Sequence, residues 1–230
     1  MKSFIFLLLL IRIKFQIGGG DIAKNLEKAK TIPHLSNINM DPILSGTIKL
    51  ILEGDGQKRL APPGKGDIPL NGLGIQDPHA IITCKGGRFT LESCNNSKVL
   101  RNGQQLSGQP VELAHRDRLL FGASQYYVFI DPAKARADDP FISFEMMQDE
   151  IAKSNGLNLA ANKSQMSQEQ LQCQAELIDL IPLIDEANEI SIAMDKKIKY
   201  SALPIAPEAR GEYEGKLKVI NLPNKSKSKS

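Results

Sequence analysis

The chain has 230 residues, 41% hydrophobic and 24% charged, with 18 Gly and 13 Pro. At roughly 150 residues per domain this makes one domain with extensions or two small ones, and excludes wholesale disorder. The net charge is +3, and Lys225, Lys227 and Lys229 account for it, so the basic face of a nucleic-acid binder is not expected. Trp is absent and aromatics make up 5%, too few for platforms on which bases stack. Three cysteines, Cys84, Cys94 and Cys173, with no CxxC spacing indicate neither a disulfide framework nor a zinc knuckle.

Residues 1–20 form an apolar, glycine-ended start. Phe4 to Ile11 is an unbroken apolar run, but Arg12 and Lys14 interrupt it and no small-x-small cleavage pattern follows. It is also shorter than the roughly 20 apolar residues that span a bilayer. Membrane contact is therefore not expected; a small membrane-anchored protein using residues 4–17 is the alternative.

Residues 21–43 read as a lead-in helix, Asp21 to Ala29, and a linker; Pro33 stops the helix. From residue 44 to 131 short apolar runs recur between turn signals, the pattern of a sandwich or barrel. Strands are expected at Thr47–Leu52, Asp67–Leu70, Ala80–Cys84, Arg88–Glu92, Val99–Leu100, Gln104–Leu106, Arg118–Gly122 and Tyr126–Ile130, with Pro69 confining its strand to an edge. Gly86-Gly87 and Asn102-Gly103 mark tight hairpin turns. Ile81, Phe89, Leu91, Leu119, Phe121 and Val128 are expected in the core. Residues 138–200 turn helical. Phe141, Phe144, Met147 and Ile151 share one helix face over Phe141–Asn155. A second helix, Gln168 to Lys196, bends near Pro182. Its stripe runs through Leu171, Ala175, Ile178 and Ile181, then Leu183, Ile184, Ala187, Ile190 and Met194; it packs as core or pairs two chains as a coiled coil. Residues 201–230 read as a proline-dotted, basic, disordered tail. The fold class is mainly β, an antiparallel β-sandwich with flanking α-helices.

Motifs for catalysis are missing. Gly64-Lys65-Gly66-Asp67 lacks the glycine spacing and the hydroxyl of a P-loop, and there is no GxSxG elbow. His34, His79 and His115 stand far apart with no neighbouring ligand, so neither a metal nor a cofactor is expected, and the chain reads as no enzyme.

The ordered turns carry more. Gly66-Asp67-Ile68-Pro69-Leu70, then Pro78-His79-Ala80-Ile81-Ile82, Phe89-Thr90-Leu91, Val99-Leu100-Arg101-Asn102-Gly103 and His115-Arg116-Asp117-Arg118-Leu119-Leu120-Phe121-Gly122 together resemble a forkhead-associated (FHA) domain over residues 45 to 131. Pro33-His34-Leu35-Ser36-Asn37-Ile38-Asn39-Met40-Asp41-Pro42-Ile43-Leu44-Ser45 and Leu180-Ile181-Pro182-Leu183-Ile184-Asp185-Glu186-Ala187-Asn188-Glu189-Ile190 are similar to the segments flanking that domain in cargo-transporting kinesins of the kinesin-three class. The resemblance implies a sandwich whose end loops bind phosphothreonine through Gly-Arg, Ser-x-x-His and Asn. Here His79 stands at the motif His, where it braces its loop, and Gln76 stands at the Ser. The Gly-Arg slot falls at Leu60-Ala61-Pro62, leaving Arg59 or Lys65 as substitute cations without bidentate geometry. Asn95, Asn96 and Ser97 stand in the third loop, and Asn102 matches the hairpin Asn-Gly. The implied function is a non-catalytic interaction or scaffold module of a kinesin-like protein, linked to dimerisation or cargo attachment in microtubule-based organelle transport. The alternative is a phosphothreonine-peptide reader. The implied partners are a protein or cargo adaptor, a second copy through residues 168–196, and microtubules only by way of a motor domain these residues do not contain. The implied location is cytoplasmic and cytoskeleton-associated.

Overall fold

Strands with one apolar face are stable only when two such faces meet, and the chain provides two sets. A computed structural model describes residues 21–154, 168–196, 198–204 and 217–223; the apolar run near the start, the polar linker expected at 158–165 and the Lys/Ser tail lie outside the described residues. The chain divides after Met147 into two units.

The first unit opens with helix α1 (Asp21–Lys28), whose Lys28 is ion-paired with Glu53. Eleven strands follow: β1 (His34–Asn37), β2 (Lys49–Ile51), β3 (Gly56–Ala61), β4 (Ile68–Pro69), β5 (Ala80–Lys85), β6 (Arg88–Ser93), β7 (Val99–Arg101), β8 (Gln104–Gln105), β9 (Val111–Glu112), β10 (Arg118–Phe121) and β11 (Gln125–Ile130). They form a six-stranded sheet in the order β2-β1-β11-β10-β7-β8 and a five-stranded sheet in the order β4-β3-β5-β6-β9. Between them lies one core. Leu35, Leu50, Leu119, Phe121, Tyr127 and Phe129 come from the first sheet, and Leu60, Ile82, Phe89 and Leu91 from the second. Phe89 and Phe129 meet across it at 5.2 Å between ring centroids. The expected sandwich is therefore present, with β4 paired parallel to β3 at one edge, where Pro69 costs no ladder bond.

Two expectations inside the sandwich need correction. Ile81 is only half-buried: register pairs it with Arg59 and Glu92 on the outer face, while Ala80, Ile82 and Cys84 turn inward. The apolar run at 80–84 had hidden an alternating strand. The sandwich also begins at His34, ten residues before the expected boundary. β1 lies between β2 and β11, and all four of its residues are buried. His-Leu-Ser-Asn reads as linker because three of the four are polar, yet each is satisfied. His34 Nδ1 donates to the Ile32 carbonyl (2.9 Å), Ser36 Oγ accepts from Lys49 Nζ (2.7 Å), and Asn37 bonds both Leu44 and Ile48.

The outer face of the six-stranded sheet is apolar as well, with Leu100, Leu120, Tyr126 and Val128 buried. Phe144 stands edge-on to Tyr126 at 5.0 Å. Phe144 begins helix α2 (Phe144–Ser154), three residues later than expected. Ser143 caps it, accepting the Met146 N–H, so Phe141 stays outside the helix and exposed.

In the second unit, α3 (Gln168–Ala193) runs through Pro182. The expected stripe does not share one face. At 3.6 residues per turn, Leu183 sits roughly 140° from Ile178; Ile178 is buried while Leu183, Ile190 and Met194 are exposed. The region expected to be disordered from residue 201 instead contains strands. β12 (Ile198–Pro204) pairs antiparallel with β13 (Leu217–Pro223) over seven residue pairs. Low aromatic content and two prolines hid this hairpin, but both prolines fall where the missing N–H is not needed.

A chain starting at Leu44 should lose the central strand β1 and fail to unfold cooperatively in urea, whereas one starting at Asp21 should show a single transition. Cooperative unfolding of the Leu44 chain would contradict the placement of β1.

Candidate functional site

The strand directions bring six connections to the end of the sandwich at which β1 finishes: residues 38–48, 62–67, 70–79, 94–98, 106–110 and 122–124. At their centre is His79, fully buried. Its Nδ1 accepts the Gln76 N–H at 3.2 Å, so the ring proton sits on Nε2, 3.1 Å from the Lys98 carbonyl. The ring stands edge-on to Phe121 at 6.2 Å. Its own carbonyl accepts from the Cys94 N–H (3.0 Å) and from the Ser97 hydroxyl. One residue thereby holds loop 70–79 against loop 94–98. Burial pushes the His79 pKa below its ordinary value, against the pull of the Lys98 carbonyl, which keeps the ring neutral and the tautomer fixed.

The remaining sequence candidates divide. Ser97 is buried, and its hydroxyl is spent on His79. Asn95 and Asn96 are exposed with φ of 51° and 58°, and Asn95 Nδ2 donates to the Pro78 carbonyl at 3.2 Å. Gln76 is exposed. Asn102 is at the opposite end, in the β7–β8 turn. Its φ of 50° and the 80° of Gly103 suit a type I′ turn. Its side chain bridges Asp117 Oδ1 (2.8 Å) and the Arg118 N–H (2.9 Å). Asn102 therefore cannot join the His79 loops.

Arg59 is not at a loop tip. It lies on the outer face of β3, where its Nη2 holds Asp77 Oδ1 at 2.9 Å and its N–H donates to Asp67 Oδ2 at 2.8 Å. Loop 62–67 folds back over this strand. A Cβ on Gly66 would lie 2.6 Å from the Arg59 carbonyl, a contact that only glycine allows. Lys65 is exposed beside it. This end carries three cations, Arg59, Lys65 and Lys98, and three carboxylates, Asp67, Asp77 and Glu92, the last in Arg59's cross-strand row. This is a balanced set, not the converging cationic cradle a phosphate dianion calls for. The aspartates were missed by sequence reading; the signal available was the spacing of Asp67 and Asp77 about one short strand.

A second feature at the same end was also missed. In loop 38–48 Met40 and Ile43 are 73% and 71% exposed. The backbone beneath them is pinned by side chains. Asn39 N donates to Ser45 Oγ (2.8 Å), Asp41 N to Asn39 Oδ1 (2.9 Å), Ile43 N to Asp41 Oδ1 (3.0 Å), and Thr47 Oγ1 to the Leu44 carbonyl (2.7 Å). The Asn-x-Asn-x-Asp-Pro order is a series of Asx-turn signals.

At the far end Asp117 is buried and accepts from Arg101 Nε (2.7 Å), Asn102 and the Ala114 N–H (2.8 Å). His115 Nδ1 accepts the Asp131 N–H (3.0 Å), so its Nε2 donates to Asp139 Oδ2 (3.0 Å). This ties residues 131–139 to the sandwich.

Comparison with known proteins fits this architecture. Residues 59–122 match the family model of the FHA domain, and the chain carries that non-enzymatic protein-interaction module. It is 29% identical over 186 residues to the kinesin-like protein KIF28 of Rattus norvegicus, covering 77% of this chain and 18% of that one. It is 32% identical over 117 residues to the human (Homo sapiens) kinesin-like protein KIF1B, covering 47% and 6%. The chain thus spans under a fifth of the length of these relatives. Among solved structures, the yeast Dun1 FHA domain in complex with a doubly phosphorylated peptide is 16% identical, covering 50% of this chain and 85% of that one, with a TM-score of 0.38.

His79→Ala should cost about 2–4 kcal/mol, by cavity formation and by stranding the Gln76 N–H and Lys98 carbonyl. Burial also depresses His34. Both imidazoles therefore bind protons more readily in the unfolded chain. Stability should be full above pH 6.5 and fall as pH drops through the interval between the unfolded value and the lower folded values. Urea midpoints from pH 8 to 5 check this; a flat profile that His79→Ala leaves unchanged would contradict it.

Proposed function

We propose that this chain is a non-catalytic protein-interaction module of a kinesin-like protein, linked to dimerisation or cargo attachment in microtubule-based organelle transport, and that its sandwich engages a protein partner or cargo adaptor without a phosphate. The observation that carries the phosphate-free reading is the pairing of the Arg59 guanidinium with Asp77, beside Asp67, which accepts the Arg59 backbone N–H. A bidentate charge-assisted contact is worth about 1.5–3 kcal/mol, roughly tenfold to over a hundredfold in affinity. Lys65, a hydrated point charge on a flexible stem, is a poor replacement. Met40 and Ile43, held outward on a pinned loop, supply the apolar contact that a phosphate-free surface would use. The kinesin association rests on the similarity to kinesin-like proteins, and with it a cytoplasmic, cytoskeleton-associated location. Self-association through residues 168–196 draws support from the exposed Leu183, Ile190 and Met194. The membrane-anchored alternative rests on residues outside the described ones; among the described residues no helix is long and apolar enough to cross a membrane.

The phosphothreonine reader is the competing outcome of one experiment. Calorimetry with a degenerate phosphothreonine peptide pool and its unphosphorylated twin should give affinities that differ by less than the tenfold step a bidentate contact confers. A low-micromolar, phosphate-dependent affinity abolished by Lys65→Ala or Gln76→Ala would overturn the phosphate-free reading.

A further inference from the structure

The second unit holds a strand edge that its own helix leaves open. In the β12–β13 ladder Tyr200 lies opposite Asn221, Ser201 opposite Ile220 and Leu203 opposite Lys218. One side chain of α3 takes both backbone groups of Tyr200. Asn188 Nδ2 donates to its carbonyl (3.1 Å) and Asn188 Oδ1 accepts its N–H (2.7 Å). Ser191 Oγ donates to the Ile198 carbonyl at 2.7 Å. Ile198 and Tyr200 therefore direct their backbone groups away from β13, because successive residues of an antiparallel strand address opposite sides. The same parity puts Pro204 and Pro223 at outward positions, where a missing N–H breaks no bond of the hairpin. The outer edge of β12 is thus interrupted, by α3 at Ile198 and Tyr200 and by proline at Pro204, which leaves Ala202 between them. On β13 the parity turns the N–H and C=O of Leu217, Val219 and Asn221 outward, and no strand among the described residues pairs with them.

We propose that this edge pairs with the same edge of a second copy of the chain, antiparallel about Val219, making a four-stranded sheet across a two-fold axis. In that register Val219 stands opposite Val219 and Leu217 opposite Asn221, so all three outward residues of each copy exchange both backbone groups. Lys218 falls opposite Ile220, and no like charges meet. The neighbouring registers are worse. Centring on Lys218 sets Lys218 against Lys218, and centring on Ile220 places the Pro223 ring inside the ladder. The seven-residue edge is β-prone and free of acidic residues; Lys218 and Pro223 guard it, and the register centred on Val219 neither sets either against itself nor puts the proline in the ladder. The contact is isologous, as a two-fold dimer requires. It shares the self-association of the reading above but competes with the α3 stripe as its seat, and the test below separates the two.

Sedimentation velocity of the full chain should show a dimer dissociating on dilution. Val219→Pro should weaken it at least tenfold, because that N–H serves only the new interface; continued slow exchange of the Ser201 and Leu203 amides reports an intact hairpin. The double variant Leu183→Glu/Ile190→Glu should stay dimeric. In the unmodified chain, protection of the Val219 and Asn221 amides should rise with protein concentration, which holds the edge to account even where the proline variant loses its hairpin. A dimer that survives Val219→Pro with the hairpin intact but dissociates in the glutamate variant assigns association to α3 and overturns the edge. A chain monomeric at high micromolar concentration overturns both. Neither result bears on phosphate-free recognition by the sandwich.

Discussion

The loop end of this sandwich depends on one buried imidazole. A loop of ten residues, 70–79, has no ladder of its own to fix it, and its backbone polar groups must find partners before it can pack. His79 supplies them in both directions, accepting from Gln76 and donating to Lys98, while its carbonyl collects Cys94 and Ser97. Because the ring is uncharged and enclosed against Phe121, the arrangement needs no ligand to complete it. The loops are pre-organised, which lowers the ordering cost of binding any partner that fits them.

The same scaffold decides what such a partner can be. An interaction fold is a frame, and its chemistry is set by what the loops display. Here the frame is retained while the cationic display is balanced. Arg59 sits within the strand with its guanidinium on Asp77, and Gly66 lets loop 62–67 close over it. Beside the exposed polar residues stand two apolar ones, Met40 and Ile43, on a loop stiffened by Asn39, Asp41 and Ser45. In the proposed function, the surface trades a charge-assisted contact for a shape-dependent one.

The paired β-strands were legible because their alternation and their Gly-Gly and Asn-Gly turns are local signals, and Leu91, Leu119 and Phe121 followed from them into the core. β1 was not, since a polar strand buried on both faces is recognisable only once its more distant hydrogen-bond partners, Ile48 and Lys49, are in place beside Ile32 and Leu44. Asn102 illustrates the converse. Its turn geometry was readable, but its location away from the His79 loops depends on strand direction, which no dipeptide encodes. The β12–β13 hairpin depends on Asn188 and Ser191 of a preceding helix, so proline content alone misleads. Ser97 looked like a donor for a ligand and proved to be a brace, because burial rather than residue type determines where a hydroxyl points.

The most direct test of a pre-organised, ligand-independent loop end is the protonation state of His79. Heteronuclear NMR of the imidazole in the free chain should show the Nε2–H tautomer at pH 7 and a protonation midpoint below the ordinary histidine value of about 6.5. An imidazole that titrates near 6.5, or that carries its proton on Nδ1, would show that the ring does not hold the two loops together and would contradict the account.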